Sequence, residues 1–213
     1  MAPAFPRQRR YETLGVLPSP GLLHMLYLAS QSPRRRQLLE QIGVNFRIVD
    51  VEVPEHRTLG ESPRDYVSRV AREKARAGLA VLEEPGAAVL GADTEVVLDD
   101  EVFGKPDDAE DAALMLRRLS GRVHEVISTV WLVTRSGEWS DTSLSRVTMP
   151  TLDSATITAY IATGEPFGKA GAYGIQGHGA KLIEHLDGSH SGVMGMPIYE
   201  TARLLRSHGL IGA

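Results

Sequence analysis

Cysteine is missing altogether from this 213-residue chain. Its absence excludes disulfide cross-links, thiolate zinc sites and cysteine nucleophiles, and it matches a reducing, cytoplasmic location, which is the one we expect. No apolar run approaches the ~20 residues that a membrane-spanning helix requires, so no membrane partner is expected. Positive charge is not in excess either. The formal net charge is −4 and the pI is near 6.0, which gives no overall attraction to a nucleic-acid backbone. Any polyanion must then be met by a local basic cluster, and small phosphates suit such a chain better than duplex DNA. What is present, 42% apolar and 23% charged residues, is enough to bury a core as one domain.

Residues 1–24 stand apart from the rest. Pro3, Pro6, Pro18 and Pro20 punctuate them and Arg7, Arg9 and Arg10 cluster there, without the apolar core or small-residue cleavage site of a targeting peptide. Met25 directly precedes the first strand-like run. We therefore expect a disordered extension over residues 1–24 and a single domain over 25–213.

Residues 26–29 read as a short buried strand, and Ser32-Pro33 then supplies an N-cap followed by proline at the first helical position, opening a helix that Gly43 stops. Ser62-Pro63 repeats that start. Asp65 completes a capping-box-like pattern, and Tyr66, Val67, Val70, Ala71 and Ala75 form the apolar stripe of a second helix. Residues 89–98 are a continuous β-rich run that Asp99-Asp100 returns through Val102-Phe103 as a hairpin. Residues 106–119 read as a helix, 123–134 and 140–149 as strands joined at Ser136-Gly137, 154–162 as a helix, 181–186 as a strand and 197–208 as a closing helix. Strands and helices mix without strict alternation. That predicts an α/β fold with a mixed β-sheet flanked by helices rather than a doubly wound parallel sheet.

The first helix opens with Arg34, Arg35 and Arg36, where the macrodipole disfavours cations and free backbone N–H groups invite an anion. With the hydroxyls of Ser30 and Ser32 on the preceding turn, this makes a strand–turn–helix phosphate cradle without the Walker glycine pattern. Taken alone, the same cluster is equally a solvated basic turn. Asp93 lies inside the apolar run 89–97, where an unpaired carboxylate is costly. A metal ion, a lysine or a catalytic water would each partner it, the plainer alternatives being a structural salt bridge or a solvated strand end. Gly91, two residues back on the same strand face, is expected to leave room for a ligand.

Lys74 falls at i+4 and i+8 from Val70 and Tyr66, so its stem lies on the buried stripe, from which a lysine commonly snorkels to water. Lys105, between Gly104 and Pro106, and Glu55, after Pro54, read singly as exposed loop charges. Glu55 and Asp93 together would make an oxygen-ligand pair for magnesium or manganese. The glycine-rich segment 167–177 carries Lys169, Tyr173 and Gln176 and suits close backbone approach to a ligand. The interleaved Tyr173 and Ile175 predict a shaped loop there rather than a linker.

Several segments recur in a recognisable order: Leu28-Ala29-Ser30-Gln31-Ser32-Pro33-Arg34-Arg35, Ala71-Arg72-Glu73-Lys74-Ala75, Gly91-Ala92-Asp93-Thr94, Gly104-Lys105-Pro106, Leu119-Ser120-Gly121-Arg122 and Lys169-Ala170-Gly171-Ala172-Tyr173-Gly174-Ile175-Gln176-Gly177. Together they resemble the Maf family of nucleotide pyrophosphatases, from about Leu26 to Leu205. The resemblance implies an elongated, two-lobed fold with a central cleft, related to the inosine triphosphate pyrophosphatases and usually a homodimer. It implies hydrolysis of a nucleoside triphosphate between its α- and β-phosphates with a divalent metal cation, Mg2+ or Mn2+. Carried over by position, Asp93 is the catalytic carboxylate, Ser30, Arg35, Lys74 and Lys105 surround the phosphates, and Glu55 joins Asp93 at the metal. Arg34, Thr94 and Gln176 correspond to positions associated with substrate choice.

Relatives acting on 7-methylguanosine triphosphate resemble Ser-Asp-Gln where this chain has Ala92-Asp93-Thr94, and they lack the Tyr-Gly-Ile-Gln-Gly loop. The pattern here therefore resembles the dTTP/UTP branch, which releases the monophosphate and pyrophosphate. The chain departs from the family at Gly188-Ser189-His190-Ser191-Gly192-Val193, where an aromatic and often an asparagine are common, a difference that bears on loop packing. The alternative function is a nucleotide-binding regulator of septum formation, the effect for which the family was named, acting without turnover. Nucleic-acid binding through Arg34, Arg35 and Arg36 is disfavoured by the acidic balance and the lack of a basic stripe.

Overall fold

The computed structural model describes residues 25–212; the extension expected over residues 1–24 lies outside the described residues. Both Ser-Pro pairs act as helix starts. Ser32 accepts the Arg35 N–H at the head of α1 (Pro33–Gln41), and Ser62 accepts the Asp65 N–H at the head of α2 (Pro63–Ala80), with proline in the first turn of each. Before and after α1 come two short strands, β1 (Met25–Leu28) and β2 (Phe46–Ile48). The long strand β3 (Ala87–Leu98) turns at Asp99 and Asp100 into β4 (Glu101–Phe103). Both turn residues have positive φ, 54° and 65°, as a two-residue hairpin turn of the favoured hand requires.

Helix α3 (Ala109–Leu119) is followed by the paired strands β5 (Val123–Thr134) and β6 (Gly137–Thr148), helix α4 (Ser154–Ile161) and the short strand β7 (His185–Asp187). Helices α5 (His190–Met194) and α6 (Ile198–Ser207) close the described chain. The strands form one seven-stranded sheet in the order β2-β1-β3-β5-β6-β7, with β4 also on β3. β1 runs parallel to β2 and β3, and the remaining pairs are antiparallel, so the sheet is mixed as expected.

β3 is the spine of the molecule. On one face Ala88, Leu90 and Ala92 enter a core with β1, α1 and α6, while Val96 and Leu98 enter a second core with α3 and α4. Thr94 stands between the two. The opposite face carries Val89, Gly91, Asp93, Glu95 and Val97 and lies beneath α2, whose stripe of Tyr66, Val67, Val70, Ala71 and Ala75 is fully buried. Gly91 does not leave room for a ligand, contrary to expectation. A Cβ there would stand 2.3 Å from the Ala71 carbonyl oxygen and 2.7 Å from the Ala75 nitrogen, so the missing side chain admits the α2 backbone.

Other expectations shift at their edges. The helix expected from residue 106 begins at Ala109, because Asp108 accepts the N–H groups of Glu110 and Asp111, both at 2.9 Å, and so caps it there. The strand expected over 181–186 is instead a 3₁₀ turn (Gly177–Leu182) followed by β7, since only His185 to Asp187 find ladder partners on β6. The structure adds β2 and α5 to the expected elements. β2 holds three residues at the sheet edge, and α5 has only five residues, Gly192 among them, so neither carries a readable period.

Candidate active site

The sheet leaves a notch in its own edge. β1 pairs with β3 as far as Leu90, and β4 pairs with the same edge only from Val96, so residues 91–95 have no strand neighbour on that side among the described residues. A cavity of ≈ 650 Å³ opens at this notch. That size is ordinary for a small-molecule site. The turn after β1 brings Ser30, the head of α1 brings Arg34 and Arg35, α2 brings Lys74, and β3 itself brings Asp93 and Thr94. The segments after β2, after β4 and after α4 add Glu55, Lys105 and Gln176. All the residues that the family resemblance assigns to the site thus line one cavity.

Asp93 lies at the floor, its side chain 5% exposed. Its Oδ1 is 2.8 Å from Lys74 Nζ and 3.9 Å from Arg35 Nη2. Oδ2 accepts no hydrogen bond among the described residues. Lys74 does not snorkel away: Nζ also sits 2.6 Å from Glu55 Oε1, and Lys105 Nζ lies 3.3 Å from Glu55 Oε2. The four side chains form an alternating chain of charge, Asp93–Lys74–Glu55–Lys105. Burial pushes the Glu55 carboxyl up, but the hydrogen bond and charge of Lys74 and the charge of Lys105 outweigh it and hold Glu55 below its ordinary range.

Arg35 is fixed from two sides. Its Nε donates to the Gly195 carbonyl at 2.9 Å and its Nη1 to Ser30 Oγ at 3.4 Å, which aims the guanidinium across the cavity toward Asp93. Ser30 Oγ also accepts the Ser32 N–H at 3.2 Å. Arg36 is exposed and outside the cavity, so the arginine run divides into two site residues and one solvated one. Burial, then the neighbouring charge of Arg35, lowers the Arg34 pKa below the usual guanidinium range.

The glycine-rich segment is a shaped loop, as its aromatic residue suggests. Glu165 accepts the His178 and Gly179 N–H groups at 2.8 Å, and the Tyr160 hydroxyl accepts the Gly174 N–H at 3.1 Å. Gly171 has φ 68° and packs on Val96, and its N–H reaches back to the Gly104 carbonyl, beside Lys105. Buried Tyr173 meets His124 Nε2 at 2.7 Å; burial lowers that imidazole to about 4 and keeps it neutral at physiological pH.

Sequence reasoning missed two contributors, Glu95 and the stretch from Val193 to Gly195, and named Lys169 only as part of the glycine-rich segment. Glu95 lines the cavity and is 8% exposed, with Oε2 unpartnered among the described residues. Its position two residues beyond Asp93, on the same strand face, was the available signal. Burial, then the charges of Asp93 and Glu55, push its carboxyl up to about 8. Lys169 donates to the Glu165 carbonyl beside the cavity, its pKa lowered first by burial and then by Arg34. The stretch Val193, Met194 and Gly195 closes the wall, and nothing in its composition announces that.

Among the described residues no three His, Cys, Asp or Glu side chains converge as a ready-made metal cage. The free Oδ2 of Asp93 and the nearby Glu55 instead match a cation that takes most of its oxygens from a bound phosphate. No helix among the described residues is long and apolar enough to cross a membrane.

The family model described as Maf-like protein matches residues 25–208. The chain is 55% identical over 188 residues to a dTTP/UTP pyrophosphatase of Xanthomonas euvesicatoria pv. vesicatoria (strain 85-10), covering 87% of this chain and 99% of that one. It is 52% identical over 183 residues to a nucleoside triphosphate pyrophosphatase of Xylella fastidiosa (strain 9a5c), covering 85% of this chain and 97% of the relative. Among solved structures, the Staphylococcus aureus Ham1 protein matches with a TM-score of 0.51 at 12% identity, over 86% of this chain and 96% of that one, a likeness of fold.

Proposed function

The chain belongs to the Maf-like protein family, and from that premise we propose that its cleft hydrolyses dTTP and UTP to the nucleoside monophosphate and pyrophosphate. The observation that carries this proposal is Asp93, a buried carboxylate with one oxygen engaged by Lys74 and the other free, at the floor of a cation-lined cavity. Arg35, Lys74 and Lys105 neutralise the triphosphate, and Ser30 adds a hydroxyl donor. Lys74 holds Asp93 in place through Oδ1. Oδ2 takes a proton from a water whose oxygen bonds to the α-phosphorus; the bond from that phosphorus to the bridging oxygen breaks, and pyrophosphate leaves with the electron pair.

Glu55 and Asp93 are the residues that would hold a divalent cation, Mg2+ or Mn2+. When bound, such a cation supplies charge neutralisation on the phosphates and a more acidic water. Arg34, Thr94 and Gln176 also line the cavity, and we assign them to the nucleobase. We further propose that the protein acts as a homodimer, which light scattering in solution will check.

Pyrophosphate release from a panel of nucleoside triphosphates tests the activity. dTTP and UTP should turn over with Mg2+ or Mn2+, and chelation by EDTA should stop them. Retention of nucleotide without release would instead identify a binding protein, and full activity in EDTA would remove the metal.

A further inference from the structure

Thr94 and Ser128 face each other directly across the β3–β5 ladder, and their hydroxyls are hydrogen-bonded. Ser128 is 1% exposed, whereas Thr94 lines the cavity. On its other side Ser128 Oγ lies 2.7 Å from the Gly192 carbonyl oxygen. A carbonyl has no proton to give, and two oxygens at that separation repel unless a proton lies between them. The only one available is the hydroxyl proton of Ser128. Ser128 therefore donates to Gly192, and the Thr94–Ser128 bond must use the proton of Thr94. Thr94 Oγ1 is left with lone pairs alone toward the cavity.

We propose that Ser128 is a positioning residue that fixes Thr94 as an obligate hydrogen-bond acceptor, and that the cleft thereby selects bases carrying an imide N–H, uracil and thymine, over cytosine. The ring N3 of uracil and thymine bears a hydrogen at neutral pH; that of cytosine is a bare acceptor. A fixed acceptor facing N3–H makes a hydrogen bond, while the same acceptor facing cytosine N3 sets lone pair against lone pair, and a buried mismatch of this kind discriminates strongly. The anchor is shared with phosphate binding. Gly192 lies in α5, and three residues on, Gly195 accepts Arg35 Nε at 2.9 Å, so one short helix orients both the base-facing hydroxyl and the phosphate-facing guanidinium. The proposal rests on the assignment of Thr94 to the nucleobase.

The experiment is kcat/KM for UTP, dTTP and CTP on wild type, Ser128→Ala, Ser128→Thr and Thr94→Val, each with a melting curve. Ser128→Ala frees the Thr94 hydroxyl to rotate and donate, so the UTP-to-CTP preference should fall by about tenfold or more. Ser128→Thr keeps the donor and should retain the preference. Thr94→Val should lose it, and adding Ser128→Ala to Thr94→Val should change the ratio no further. A UTP-to-CTP ratio unchanged in Ser128→Ala overturns the proposal, whatever happens to the melting temperature. Should Ser128→Ala fail to fold, an unchanged ratio in Thr94→Val overturns it equally. If wild type turns over UTP and CTP alike, the selectivity proposal fails while the assigned activity stands; if wild type releases pyrophosphate from neither UTP nor dTTP, the assigned activity fails and this proposal with it.

Discussion

Two carboxylates two residues apart on β3 have opposite fates. Asp93 has a lysine at 2.8 Å; Glu95, at 8% exposure, has no cation that close among the described residues, and its pKa rises to about 8. Asp93→Asn keeps the shape but removes the base, so turnover should fall to background with the fold retained; robust pyrophosphate release from folded Asp93→Asn protein would refute the assigned mechanism. Glu95 makes a different prediction. The unfolded chain loses this proton near pH 4.5, while the folded protein keeps it until about pH 8. The folded state thus binds more protons across that window, and the contribution of Glu95 to stability declines as pH rises through it, levelling off above the folded pKa. Glu95→Gln should match wild type in acid and become the more stable of the two by a few kcal/mol near pH 8, since a proton held one pH unit longer in the folded state corresponds to about 1.4 kcal/mol. Urea midpoints from acid to neutral pH check this, and a gap that does not widen with pH would contradict it.

At the level of elements, the site depends on how closely α2 approaches β3. Gly91 permits that approach, and Lys74 can reach Asp93 only because the helix backbone lies against the strand. Gly91→Ala forces a Cβ to 2.3 Å from the Ala71 carbonyl oxygen, where neither backbone can yield easily. A destabilisation of about 3 kcal/mol is expected, at the upper end of overpacking costs, together with weakened turnover as Lys74 is displaced. Chemical denaturation and pyrophosphate release measured on the same preparation test both parts. Gly91→Ala protein as stable as wild type would show that the contact relaxes.

For the molecule as a whole, the described fold begins at Met25, where the family match also begins. A chain starting at Met25 should therefore melt and turn over like the 213-residue chain; a loss of either would give residues 1–24 a structural or catalytic part. What the sequence by itself determined is the class of fold, most element starts and a set of residues that the fold gathers at one cavity. Helix caps act within a few residues, strand alternation is local, and the short motifs around Asp93, Arg35 and Lys105 can be read in one dimension. Other features were decided only in three dimensions. That Gly91 admits a helix rather than a ligand, that Lys74 bridges Glu55 and Asp93, and that Ser128 commits the proton of Thr94 all depend on partners 16 to 64 residues away. Periodicity shows which face a side chain occupies. The partner on that face, and hence the direction of a proton or the fate of a charge, is set by strand order, which brought β1 and β4 to one edge of β3 and left the notch between them.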